Sequence, residues 1–207
     1  MRRARVPGVW LFTDERLGGA RPGDPLWQAI ARLPRGGGIV FRHYSLVPAA
    51  RADLLARVGA AARRRGLVVV GSRIAGAADG VHRPAHAPDN RRPCRPRIVT
   101  ASAHSRTQAL AALRAGADLV FLSPLFETRS HPGGRPMGPL RFGLAVRGLP
   151  GPVAALGGMT AHRFGRMWPL GAAGYAGIDC WLPANLSLES PARAADRSAA
   201  IRPDQPA

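Results

Sequence analysis

Lysine is absent from this sequence: all 30 basic residues are arginine. That absence excludes Schiff-base chemistry and any ammonium contact to a phosphate. Cysteine is scarce as well. Cys94 and Cys180 lie far apart with no CxxC spacing, which argues against a disulfide framework or a structural zinc site. No apolar run approaches the roughly 20 residues of a membrane span. Behind the basic residues Met1–Arg5, the run Val9–Phe12 breaks at Thr13-Asp14-Glu15, too early for the core of a signal peptide. The expectation is a cytoplasmic chain with no membrane partner. Acidic residues are also few, 12 against 30 basic ones, leaving a net charge of +18. Such a field attracts phosphates and nucleic acid non-specifically. Aromatics make up only 6% of the chain and no RNA- or DNA-binding motif is present, so no specific nucleic-acid partner is expected.

What is present is a chain of 207 residues, 46% of them hydrophobic, enough for one well-buried core and too short for two ordinary domains. Short apolar runs alternate with amphipathic stretches, the signature of repeated βα units. Eight strands are expected: Val9–Glu15, Gly38–Tyr44, Leu67–Ser72, Asp79–His82, Arg97–Ser102, Asp118–Phe126, Val153–Gly157 and Gly174–Ile178. Runs such as Leu67-Val68-Val69-Val70 are apolar throughout, as in strands buried on both faces. Helices are expected at Pro25–Leu33 behind Asp24 as N-cap, Ala49–Arg65 stopped by Gly66, Ser105–Ala115, Leu140–Leu149 and Ala161–Trp168. A last helix near Leu186–Arg197 is expected in the tail. The links after the third and fourth strands look short or irregular. The fold class that follows is α/β, a single-domain (β/α)8 TIM barrel spanning 9–182, with a basic extension 1–8 and a tail 183–207. The rival open sheet would carry a GxGxxG loop after its first strand, and Thr13–Gly19 has none.

The glycines come late instead. Leu156-Gly157-Gly158-Met159 closes the seventh strand and runs straight into a helix, and Gly174-Tyr175-Ala176-Gly177-Ile178 follows. Such turns let backbone N–H groups approach an anion, and the last two loops are where these barrels hold a phosphate. The loop Ser123–Gly134 opens behind the sixth strand with Thr128, Ser130 and His131, a set able to wrap an anionic group.

Taken together, Leu11-Phe12-Thr13-Asp14, Arg42, Arg73, Ala78-Asp79-Gly80-Val81-His82, Ala103-His104-Ser105, Ser123-Pro124-Leu125-Phe126-Glu127-Thr128 and Pro152–Met159 resemble the thiamine-phosphate synthase and thiazole tautomerase family, in unbroken order over roughly 9–182. The resemblance implies joining of a pyrimidine-methyl diphosphate to a thiazole phosphate, with a phosphorylated small molecule as partner and magnesium as cofactor. It places Arg42 and Ser102 among the catalytic residues. Arg73, Thr128, Ser130, Gly157, Gly158, Gly177 and Ile178 fall around the ligands. Several family positions are replaced. Val40 and Tyr44 flank Arg42 where the family has glutamine and lysine. Gly71-Ser72-Arg73 stands for a triplet whose aspartate holds magnesium. His86 and Ala87 fall where a second such aspartate belongs, with only Asp89 nearby, and His131 replaces a lysine. No metal ligand is assigned. The alternative is a diverged tautomerase-like isomerase or a non-catalytic phosphate-ligand binder, in which His131 supplies the imidazole that moves a proton. A homodimer stays open.

Overall fold

A computed structural model describes residues 6–74, 76–85, 97–128, 135–183 and 186. Eight parallel strands close into a barrel in sequence order. They are β1 (Val9–Phe12), β2 (Gly38–Phe41), β3 (Val68–Ser72), β4 (Gly80–Arg83), β5 (Ile98–Ala103), β6 (Leu119–Leu122), β7 (Val153–Leu156) and β8 (Gly174–Gly177). β8 returns to β1 with Val9 opposite Tyr175, so no strand among them is left as an edge. The helices are α1 (Pro25–Arg32), α2 (Pro48–Arg65), α3 (Arg106–Arg114), α4 (Gly138–Val146) and α5 (Ala161–Met167). The expected (β/α)8 class is the observed one.

The barrel interior is filled by aromatic edges meeting faces. Phe121 contacts Trp10 at 5.5 Å and Phe12 at 4.8 Å between ring centroids, both nearly perpendicular. Burying such rings contributes about 1.5–3 kcal/mol each, and the T-shaped contacts add to that. The indole N–H of Trp10 donates to the Pro7 carbonyl at 2.7 Å, and that of Trp181 donates to the Trp10 carbonyl at 2.9 Å, so neither is stranded. At the N-terminal ends of the strands, Asp79 and Asp118 act as matching staples. Each accepts from the amide of a residue on the preceding strand, Val69 or Val99, at 2.9 Å, which anchors β4 to β3 and β6 to β5.

Several boundaries differ from expectation: β2 stops at Phe41 rather than Tyr44 and α4 spans Gly138–Val146 rather than Leu140–Leu149, and three further departures have local reasons. β1 stops at Phe12 because the Asp14 side chain accepts the Arg16 amide and turns the chain into a 3-10 turn at Glu15–Leu17. β6 stops at Leu122, before the cis Ser123–Pro124 peptide. Asp24 precedes α1 but does not cap it: its carboxylate accepts from the amides of Gly19 at 2.7 Å and Arg21 at 2.9 Å. Ser105 does cap α3, accepting from Gln108, and Gly66 ends α2 in the left-handed region at φ 64°. β3 and β4 are joined without a helix, through a short link at 73–79. That is unusual for parallel neighbours, which ordinarily need a dozen residues or more. The expected helix near Leu186–Arg197 lies outside the described residues apart from Leu186.

Candidate functional site

The mouth at the C-terminal strand ends is organised by a file of charges running from β2 through β1 towards β8. Asp14 binds Arg16 at 2.9 Å and lies 3.6 Å from Nη2 of Arg42. Arg16 in turn lies 3.7 Å from Oδ1 of Asp179, the residue two past the end of β8. Arg42 is fixed further by donation from Nε to the Thr13 carbonyl at 2.8 Å, and its guanidinium sits 5.3 Å from the Phe12 ring centroid. Burial lowers its pKa and Asp14 opposes that effect.

Backbone geometry beside Arg42 is set by a buried relay. His43 Nε2 lies 2.8 Å from the Gly18 carbonyl, an acceptor only, so that nitrogen carries the proton. Its Nδ1 therefore accepts from the Thr13 hydroxyl at 3.0 Å, and the same oxygen accepts the Arg42 amide at 3.0 Å. His43 holds this place with φ at 37°, its ring stacked on Phe41 at 5.2 Å.

A second relay joins the neighbouring strands β4 and β5. His82 Nδ1 lies 2.9 Å from the Thr100 hydroxyl and its Nε2 lies 3.0 Å from the Ser102 hydroxyl. Burial, reinforced by the charge of Arg42, brings the His82 pKa down to about 3, so the ring is neutral at working pH. Ser102 thus presents a hydroxyl whose orientation is fixed from below. His104 holds the neighbouring β6 loop, with Nδ1 3.0 Å from the Ser123 carbonyl.

Outside Arg42 lies a cluster in which sequence reasoning named Tyr44, Ser72 and Arg73 but passed over Arg51. Tyr44 bonds the Ser72 hydroxyl through its own at 2.7 Å, and its ring centroid is 5.3 Å from the guanidinium carbon of Arg51 and 5.5 Å from that of Arg73. Arg51, in the first turn of α2, donates to the carbonyls of Arg42, Ser72 and Arg73. Arg73 is exposed and holds φ at 53°.

At the other end of the mouth, Gly157 and Gly158 turn with φ of 98° and 61°. Close packing adds to that demand. A Cβ at Gly157 would lie 3.0 Å from the backbone of Pro124 and Leu125, and one at Gly158 would strike the Glu127 carbonyl and come 2.9 Å from the Phe126 side chain. The amide of Phe126 bonds the Gly157 carbonyl at 3.0 Å, so the β6 loop lies along this turn. A Cβ at Gly177 would lie 3.6 Å from the Met159 carbonyl, which brings the β8 end beside it. Ile178 follows, largely buried, and Thr128 is half-buried at the end of the described β6 loop. The structure therefore gathers Gly157, Gly158, Gly177 and Ile178 at one side of the mouth and Arg42 and Arg73 at the other, with Ser102 on β5. Ser130, His131, His86 and Asp89 lie outside the described residues.

The family model described as thiamine monophosphate synthase matches residues 13–180. The chain belongs to that family. A thiamine-phosphate synthase of Anaeromyxobacter dehalogenans is 33% identical over 193 residues, which cover 88% of this chain and 84% of that protein. A relative from Aquifex aeolicus is 40% identical over 108 residues, 51% of this chain and 58% of that protein, so this comparison spans less than two thirds of the relative. Among solved structures, the thiamine phosphate pyrophosphorylase of Pyrococcus furiosus superposes with a TM-score of 0.65 at 20% identity, covering 92% of each chain. At that identity the likeness concerns the fold alone. A thiamine-biosynthesis barrel is what these findings support.

The magnesium that the family resemblance brings with it does not fit the described residues. Among them, no group of three or more His, Cys, Asp or Glu side chains is placed to hold a metal ion. Ser72 stands where a carboxylate would be needed, and its hydroxyl is engaged by Tyr44. The nearby carbonyls are already occupied by the Arg51 guanidinium.

Proposed function

We propose that this chain is a thiamine-phosphate synthase-type transferase, acting on a pyrimidine-methyl diphosphate and a thiazole phosphate. The observation that carries this reading is the placing of Arg42 and Ser102 at one barrel mouth, within the stretch that matches the family. The thiazole nitrogen forms a C–N bond to the pyrimidine methylene carbon. The C–O bond to the diphosphate breaks, and its electron pair leaves on the pyrophosphate oxygen. No proton is transferred, which suits a neutral His82 that orients Ser102 rather than titrating. The work of the protein is to align the two ligands and to hold fixed positive charge where the leaving oxygens gather theirs. Arg42 and Arg73 take the diphosphate, and the turn at Gly157 and Gly158 with Gly177, Ile178 and Thr128 takes the thiazole phosphate.

One observation favours a second reading, a barrel that binds a phosphorylated ligand without transfer. Asp179 follows Ile178 directly, and its buried Oδ1 has no hydrogen-bond partner. A carboxylate there, balanced among the described residues only by Arg16 at 3.7 Å, opposes a second anion. The experiment is to incubate the protein with both substrates, with and without magnesium, and to follow thiamine monophosphate and pyrophosphate. Product supports the transferase. Calorimetric binding of thiamine monophosphate without turnover supports the second reading, and neither overturns both.

A further inference from the structure

The β2 and β3 ends are furnished for an anion by guanidinium groups. No acidic residue occurs from Gly38 to Val47 or from Val68 to Ala78, the two stretches that build this side of the mouth. Three arginines meet there. Arg51 directs four donor contacts at the carbonyls of Arg42, Ser72 and Arg73, at distances from 2.5 to 3.0 Å. Those are the oxygens a bare cation would seek, and a fixed organic cation already covers them. Arg51 is thus a brace. It ties the Arg42 and Arg73 backbones to one planar group and holds Arg73 in the left-handed region.

The other two guanidiniums keep donors to offer. Arg42 directs Nε at Thr13 and lies 3.6 Å from Asp14 through Nη2, leaving Nη1. Arg73, exposed, is positioned by the Tyr44 face, and Tyr44 is steadied by its bond to Ser72. Arg73 lies over the Tyr44 ring and Arg42 over the Phe12 ring, and two such planar forks match the oxygens of a diphosphate, which accept paired N–H donors.

We propose that this side of the mouth is a metal-free diphosphate clamp, in which Arg42 and Arg73, braced by Arg51 and Tyr44, supply the positive charge that a divalent cation would otherwise supply. The proposal rests on the transferase reading for the identity of the ligand and deepens it by removing the metal. Charge neutralisation of the departing pyrophosphate then comes from fixed guanidiniums whose protonation does not change with working pH.

The test is calorimetric titration of inorganic pyrophosphate into the full chain at physiological salt, in EDTA and then in excess magnesium. Three proteins are compared: the unaltered chain, Arg73→Ala, and Arg114→Ala on α3 as a control for net charge. Binding is expected in EDTA and is weakened by magnesium, which competes for the same oxygens. Arg73→Ala is expected to lose about ten-fold or more in affinity, the scale of a charge-assisted hydrogen bond, while Arg114→Ala stays within about two-fold. Binding that requires magnesium, or equal losses in the two variants, overturns the clamp. Thermal melts confirm that both variants fold. Thiamine monophosphate is titrated in parallel: if it binds and pyrophosphate does not, the clamp alone falls. If neither binds, the transferase reading falls with it.

Discussion

The carbonyl oxygen of Arg42 accepts two hydrogen bonds from Arg51, one from Nη2 at 2.7 Å and one from Nε at 2.9 Å. The helix that follows β2 thereby reaches back and fixes the strand end it came from. Replacing Arg51 by lysine keeps the charge and removes the planar fork. Arg51→Lys is expected to lower stability by about 1–3 kcal/mol in urea unfolding, because a single nitrogen cannot reproduce contacts spread over Nε, Nη1 and Nη2. Pyrophosphate affinity should fall with it as Arg73 loses its support. An unchanged unfolding midpoint would show the brace to be dispensable.

The Thr100–His82–Ser102 relay separates stability from turnover. Thr100 is fully buried, and Thr100→Val leaves His82 Nδ1 without its partner. It is expected to cost about 1–3 kcal/mol while product formation persists. Ser102→Ala should do the reverse, with a small change in melting temperature and a fall in kcat of about ten-fold or more. Equal effects of the two variants on kcat would remove the special role of Ser102.

His82 also sets a pH dependence. Its folded pKa, about 3, lies below the ordinary histidine value, so between the two the unfolded chain binds a proton that the folded chain does not. Stability from this group is complete above roughly pH 6.5 and falls on acidification towards 3, by at most about 1.4 kcal/mol per pH unit. Comparing the pH profiles of unfolding for the protein and His82→Gln isolates that slope. Parallel profiles would mean that the imidazole is not kept neutral.

Gly158→Ala places a methyl group against the Glu127 carbonyl and forces φ 61° on an alanine. Gly76→Ala meets open space and carries only the strain of φ 128°. Both are expected to lower the melting temperature, Gly158→Ala more, with a cost of about 1–3 kcal/mol and weaker binding of thiamine monophosphate. Equal melting temperatures would mean that the β6 loop yields freely.

Strands such as β3 and β6 were legible because burial on both faces leaves an apolar run, the more polar β4 was read from its place in the alternation of elements, and Gly66 and Ser105 marked helix ends by chemistry that acts locally. The failures were of two kinds. The expected strands Val9–Glu15 and Asp118–Phe126 overran the hydrogen-bonded ladder: the first took in the polar Thr13-Asp14-Glu15 that turns into the 3-10 segment, and in the second Leu125 and Phe126 carry the hydrophobicity past the end of β6 at Leu122. Asp24 had the form of a cap, and its partners at Gly19 and Arg21 became visible only in three dimensions. Arg42 and the late glycines stood out because turns and strand ends have local signatures. Arg51 did not: in sequence it is one of many arginines on a helix, and its partners Ser72, at the end of β3, and Arg73, just past it, lie 21 and 22 residues away. The residual signal was its place, in the first turn after β2 and therefore at the mouth.

The helix-free link between β3 and β4 makes the wall of the barrel uneven. Between β1 and β3 and between β5 and β8 a helix follows each strand and shields it from water. Here the loop does so, with the Ala77 carbonyl packed where a Cβ on Gly59 of α2 would lie 2.9 Å away. With no helix between β3 and β4, this sector is expected to open locally at lower cost than those backed by α3, α4 and α5. The proposed anion site sits on that same sector, so a bound diphosphate would slow amide exchange there before it slowed exchange across the remaining strands.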